Sequence, residues 1–233
     1  LWRRQIRVVR PGAEIWLGQP ARDEADRARP APVIRQRDAD EATVGLELER
    51  AHEELSRCPD GAYQLLVAGR AELSAGDPRA ACRFLERALR LTPALPRRKA
   101  PVLNALAEAH MALGAQAEAE PHLRASVALA PEQWQGWALL AEHRLISLRY
   151  ADVIETIECF LELGDTCLHW DVCPERAPLL ATLGVAEVLR NLPSDACRHL
   201  REALALELTD EGQRQIAERY LAMAERMVSR SQS

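Results

Sequence analysis

Lysine is almost absent from this chain of 233 residues: Lys99 stands alone among 30 basic side chains, so its cationic chemistry is arginine chemistry. That bias reads as the mark of a GC-rich bacterial genome. Aromatic residues make up 4% of the chain against 48% apolar residues. A core must therefore come from Leu, Ala and Val, which suits closely packed helices. No run of 18 apolar residues occurs, so no helical membrane span is expected within these residues, and no signal-peptide pattern is visible. There is no HExxH pair, no defensible Ser/His/Asp arrangement and no phosphate loop; Gly69, Gly76, Gly114 and Gly184 stand alone. The sequence accordingly assigns no catalytic residue, no metal, no cofactor and no small-molecule substrate.

Charge is present but uneven. Residues 1–37 carry nine Arg against Glu14, Asp23, Glu24 and Asp26, a balance of +5; the whole chain is −5, so the remainder holds −10. An acidic body with a basic leader argues against nucleic acid as the partner of the body.

The stretch from Ala62 to Leu95 organises the rest. Apolar and small residues recur at helical spacing through Leu65, Gly69, Ala81, Leu85 and Ala88; Gly76-Asp77-Pro78 breaks the pattern and Pro93 ends it. This predicts two amphipathic helices joined by a tight turn. The pattern then repeats. Gly114, Ala119, Leu123 and Pro131 each lie 38 residues after Gly76, Ala81, Leu85 and Pro93, with Pro96-Arg97-Arg98-Lys99 expected to absorb the extra length. A third copy, from about Trp134 to Leu163, has Leu148 in place of the turn glycine; a fourth, from Ala177 to Leu208, has Asn191 there.

These residues resemble the tetratricopeptide repeat, a 34-residue helical hairpin with small residues where its helices cross. The positions that the family fills with aromatics are here Leu65, Glu72 and Leu85, so the resemblance rests on small residues and spacing over about residues 62–208. It implies an all-α, right-handed superhelical solenoid of about four hairpins at 61–209, whose stacked units share one continuous core.

Around the repeats, residues 1–37 read as a basic extended arm and linker. Gln5–Val9 and Ala13–Leu17 flank Arg10-Pro11-Gly12 as a candidate β-hairpin, and the same arginines also fit the flank of a membrane anchor. Trp2, Ile6, Val8, Ile15, Trp16 and Leu17 are too apolar for open solvent, which predicts an arm docked on something. Residues 38–60 predict a flanking helix with Val44, Leu48, Ala51 and Leu55 as its stripe, and 210–233 a capping helix with Ile216, Tyr220, Met223 and Met227 as its apolar side. The chain begins at Leu1, not Met, which leaves room upstream for an anchor or an active domain.

Six cysteines occur. Cys82 and Cys197 sit at equivalent repeat positions and read as small buried hydrophobes. Cys167 and Cys173 share an inserted loop with His169; a disulfide and free thiols both fit, whereas a zinc cluster completed by Cys159 or Asp171 matches no zinc spacing. His52, His110, His122, His143, His169 and His199 each read as surface or groove side chains.

By the resemblance, the first helix of each hairpin lines a binding groove. Carried over by position, the candidates are Tyr63, Leu66 and Arg70, then Asn104, Glu108 and Met111, then Gln135, Ala138, Glu142 and Ile146, and last Ala181, Val185 and Val188. Of the Lys/Arg and Asn clamp with which some relatives grip a terminal carboxylate, only Arg70 and Asn104 remain, and Glu108 and Glu142 would repel one. The expectation is a non-catalytic scaffold that binds a mixed or apolar segment of another protein, in a bacterial membrane-associated complex on the cytoplasmic or periplasmic side. The competing expectation is the soluble part of a larger enzyme or transporter.

Overall fold

The computed structural model describes residues 41–92, 96–164, 176–206, 208 and 210–231. The N-terminal arm with its six apolar contact residues, and the loop with Cys167, His169 and Cys173, lie outside the described residues. Ten helices follow one another among the described residues, and no strand occurs there: α1 (Glu41–Arg57), α2 (Ala62–Ser74), α3 (Pro78–Leu91), α4 (Pro96–Ala112), α5 (Gln116–Leu129), α6 (Trp134–Ile146), α7 (Tyr150–Gly164), α8 (Arg176–Leu189), α9 (Pro193–Ala205) and α10 (Glu211–Ser231). The chain divides into two compact units inside α6, between Leu139 and Leu140.

In the first unit α1 packs on α2, α2 on α3, α3 on α4 and α4 on α5. The predicted α1 stripe holds: Val44 and Ala51 are buried, and Leu48 and Leu55 pack against Ala51, Ala68 and Ala71. The extra length expected of Pro96-Arg97-Arg98-Lys99 becomes the first turn of α4, which has 17 residues against 13 in α2. In the second unit α7 packs on α8, α8 on α9, and α10 covers both α8 and α9.

Each hairpin turns the same way. Gly76, Gly114, Leu148 and Asn191 have φ of 82°, 76°, 60° and 62°. In every case the next residue's N–H bonds the carbonyl five residues back: Asp77 to Glu72, Ala115 to His110, Arg149 to Arg144 and Leu192 to Glu187. This is the Schellman closure of a helix, which needs one left-handed residue. Glycine adopts that conformation freely and asparagine with little cost; for leucine it costs about 1–2 kcal/mol. In the first hairpin Asp77 Oδ1 then accepts the Ala80 N–H at 2.9 Å and Pro78 opens α3, so the turn residues also start the next helix.

The helices of a hairpin cross where a small residue meets a large one. A Cβ on Gly69 would stand 2.6 Å from Leu85 Cγ, and one on Gly184 would stand 2.5 Å from Leu200 Cγ. At the same register the other hairpins place Ala107 with Leu123 and Ala141 with Ile157, all fully buried.

Two expectations are corrected. On α10 the predicted Tyr220 is buried and Ile216 and Met227 pack against the core, but Met223 is 36% exposed, and Gln213, Ala217 and Ala224 complete the buried face in its place. The 213–217–220–224 spacing is the helical stripe, and small alanines bring the helix closer than a methionine would. His143 and His199 are buried, not surface or groove residues; His199 is taken inward by an acid on the facing helix, described below.

Candidate partner-binding surface

In the first unit, α2 and α4 carry the candidate groove residues. One side of α2 is committed to packing through Leu65, Ala68 and Gly69. The opposite side presents Tyr63, 68% exposed, with Arg70 exposed beyond it and Leu66 half-buried between them. Neither Tyr63 nor Arg70 makes a hydrogen bond or ion pair among the described residues. On α4, Glu108 and Met111 are half-buried, while Asn104 is 6% exposed. At the start of α6, Gln135 is exposed and Ala138 is buried.

Asn104 is covered by Gly136. A Cβ on Gly136 would lie 3.2 Å from Ser126 Oγ and 3.4 Å from Asn104 Oδ1, so Gly136 lets α6 begin close against α4 and α5. Ser126 is already engaged, donating to the Ala100 carbonyl at 3.3 Å. The Asn104 amide oxygen has no donor among the described residues, which leaves a buried acceptor that folding does not use.

The second unit treats the same repeat positions differently. Glu142 is buried, and Ala181, Val185 and Val188 are buried in the cluster that α10 completes with Ala217, Tyr220 and Ala224. These three groove candidates on α8 are therefore core residues and not open to a partner. Burial pushes the Tyr220 phenol up to about 12.

A second constellation was not foreseen as a site. At the register where the family places an aromatic residue near the end of the first helix, each hairpin has a charged or ionisable side chain, and each meets a partner. Glu72 receives His52 Nε2 of α1 at 2.7 Å, and the His52 ring stands edge-on to Phe84. His110 stacks on His122, with ring centroids 5.5 Å apart and planes 14° from parallel. Arg144 bonds the Thr156 hydroxyl and the Asp152 carbonyl. Glu187 holds His199 Nδ1 at 2.8 and 2.9 Å with its two oxygens. Burial raises the Glu187 carboxyl above its ordinary value, and the His199 hydrogen bond opposes that shift without cancelling it. The signal was available: Glu72 and Glu187 are 115 residues apart, the same offset as Gly69 to Gly184 and Leu85 to Leu200.

The cysteine readings divide. Cys197 is buried and Cys82 half-buried, and burial raises both thiols, as inert small hydrophobes require. Cys58 and Cys159 are exposed and free. No group of three or more metal-ligating side chains occurs among the described residues, and none of the described helices is long and apolar enough to cross a membrane.

Hairpins with a shared crossing, a shared turn and a shared polar register define a tetratricopeptide-repeat fold. Solved structures agree. No family model matches the chain and no curated protein matches it. The crystal structure of MamA is similar at 17% identity and a TM-score of 0.55, over 68% of this chain and 85% of that one. MamA from Desulfovibrio magneticus RS-1 aligns at 20% identity and 0.56, over 72% and 88%. YrrB, described as a TPR protein with an unusual peptide-binding site, aligns at 15% and 0.54, over 76% and 84%. At such identities the likeness concerns the fold.

Proposed function

We propose that this chain is a non-catalytic scaffold that binds a segment of another protein on the α2–α4 face, within a bacterial membrane-associated assembly to which residues 1–37 supply a second contact. The observation that carries the reading is the exposure of Tyr63 beside Arg70. Tyrosine and arginine are the residue types that most often anchor protein interfaces, and here folding uses neither. The half-buried Leu66, Glu108 and Met111 supply the mixed chemistry that a peptide segment requires. The negative balance of the body favours a protein over a nucleic acid, and the basic, apolar arm favours a site at an anionic membrane surface or on a membrane subunit. That YrrB is described as binding a peptide on the same fold supports the class of ligand.

The test is affinity capture from the source organism in mild detergent, comparing the natural chain with a Tyr63→Ala/Arg70→Glu double variant. A stoichiometric partner that the double variant loses, at unchanged thermal stability, supports the proposal. Equal capture by both chains, or a monomer with no partner, contradicts it.

A further inference from the structure

We propose that the α4–α5 hairpin is an acid-sensitive joint, in which protonation of the stacked His110–His122 pair loosens α4 from α5 and with it the partner-binding face that α4 carries. The comparison with the other hairpins is what points there. At this register Glu72 faces His52, Arg144 faces a hydroxyl and a carbonyl, and Glu187 faces His199. Each of those arrangements sets a base against an acid or a neutral acceptor. Among the described hairpins, α4–α5 alone sets two bases against each other.

Neutral imidazoles with parallel planes attract as other ring pairs do. Two imidazolium ions at a centroid separation of 5.5 Å, each half-buried, repel. The surroundings do little to relieve this. Along α4 and the turn that closes it, one turn from His110 stand Leu106, Ala107, Leu113 and Gly114, none of them charged; along α5, one turn from His122 stand Ala119, Ala125, Ser126 and the exposed Glu118. From α3, Glu86 favours the charged His122 ring, but burial and His110 outweigh it and hold that imidazole below its ordinary value. The first turns of α6, Trp134 to Leu139, contain no titratable side chain, and Glu72 of α2 is occupied by His52.

A histidine depressed in the folded state contributes stability that is intact above about pH 6.5, the ordinary imidazole value, and that falls away as the pH drops below it. The effect reaches the binding face because His110 lies between Glu108 and Met111, and its carbonyl accepts the Leu113 and Ala115 N–H groups that close the turn. That acid also releases a bound partner rests on the scaffold reading above; the loosening itself does not.

The experiment is hydrogen exchange by mass spectrometry on the full chain at pH 7.5 and 5.5, corrected for intrinsic exchange and resolved by hairpin. The expected result is a loss of protection in α4–α5 on the order of threefold or more, absent from α2–α3, and abolished in His122→Gln. Should His122→Gln fail to fold, imidazole NMR titration of the natural chain decides, with one ring of the pair protonating at lower pH than free imidazole. Uniform loss across the hairpins, persistence of the loss in His122→Gln, or two rings titrating independently at the ordinary value would overturn the joint. If the joint responds and affinity capture yields no partner, the scaffold reading fails and the acid sensitivity stands.

Discussion

The α2–α3 and α8–α9 hairpins are built alike and face their surroundings in opposite ways. Both cross at a glycine under a leucine, both close with a left-handed residue, and both carry a glutamate at the same register. Yet α2 keeps one side open through Tyr63 and Arg70, whereas α8 is buried continuously from Leu179 to Val188. The difference lies in two or three side chains. Where α2 has Leu66 and Arg70, α8 has Ala181 and Val185, and α10 packs over α8. A repeat thus separates the residues that make a hairpin from those that decide what the hairpin touches. The first set is shared; the second can be turned to binding or to core.

The glutamates give the largest contrast. Glu187 and His199 are both buried, so His199→Ala strands an acid in the core and should destabilise the second unit by about 3 kcal/mol. His52→Ala removes the partner of Glu72 where the histidine is 45% exposed and the acid, at 13%, still reaches solvent more than Glu187 does, and should cost about 1 kcal/mol. Chemical denaturation followed separately in each unit by hydrogen exchange reads both values, and equal losses would break the contrast. Close to that in size is an alkaline effect confined to the covered side. The Tyr220 phenol is raised to about 12, so its stabilising contribution is complete below the unfolded value of 10 and is lost as the pH climbs from there to about 12. The loss should total about 3 kcal/mol at most, and Tyr220→Phe should flatten the melting temperature over that range.

What the hairpins share should respond equally. Gly69→Ala and Gly184→Ala each drive a methyl into a leucine and should each cost about 1–3 kcal/mol, measured by thermal melts; a cost at one site alone would show that the crossings are not equivalent. The smallest effect has the opposite sign. Leu148→Gly should stabilise the α6–α7 turn by about 1 kcal/mol, because it relieves a left-handed leucine, whereas Gly76→Leu should destabilise the first hairpin by a similar amount.

The shared residues were legible in the sequence because they obey a period. Gly76, Gly114, Leu148 and Asn191 were recognisable as one turn position by spacing, even though leucine is a poor occupant. The α1 stripe was legible by its 3.6-residue rhythm. On α10 the predicted Ile216, Tyr220 and Met227 do pack on the core and one position was misread: Met223 and Ala224 are adjacent, hydrophobicity alone favours the methionine, and it is the alanine that is buried. The histidines resisted for a different reason. Whether a histidine is buried depends on what the facing helix offers, and Glu187 twelve residues before His199 becomes its partner only after the turn at Asn191 folds α9 back on α8. For the groove, the sequence supplied the positions but not their exposure, because burial of Val185 depends on the helix that packs over it.

The central claim is that the α2–α4 face is open for a partner, and a matched pair of positions tests it most directly. Tyr63 on α2 and Leu46 on α1 are almost equally exposed, at 68% and 67%. A photo-crosslinking residue placed at each position in turn, in the source organism, compares the proposed face with a surface of equal accessibility. One dominant protein crosslinked through position 63, and none through position 46, is the predicted result. The same scattered products from both positions, or none from position 63, would contradict it.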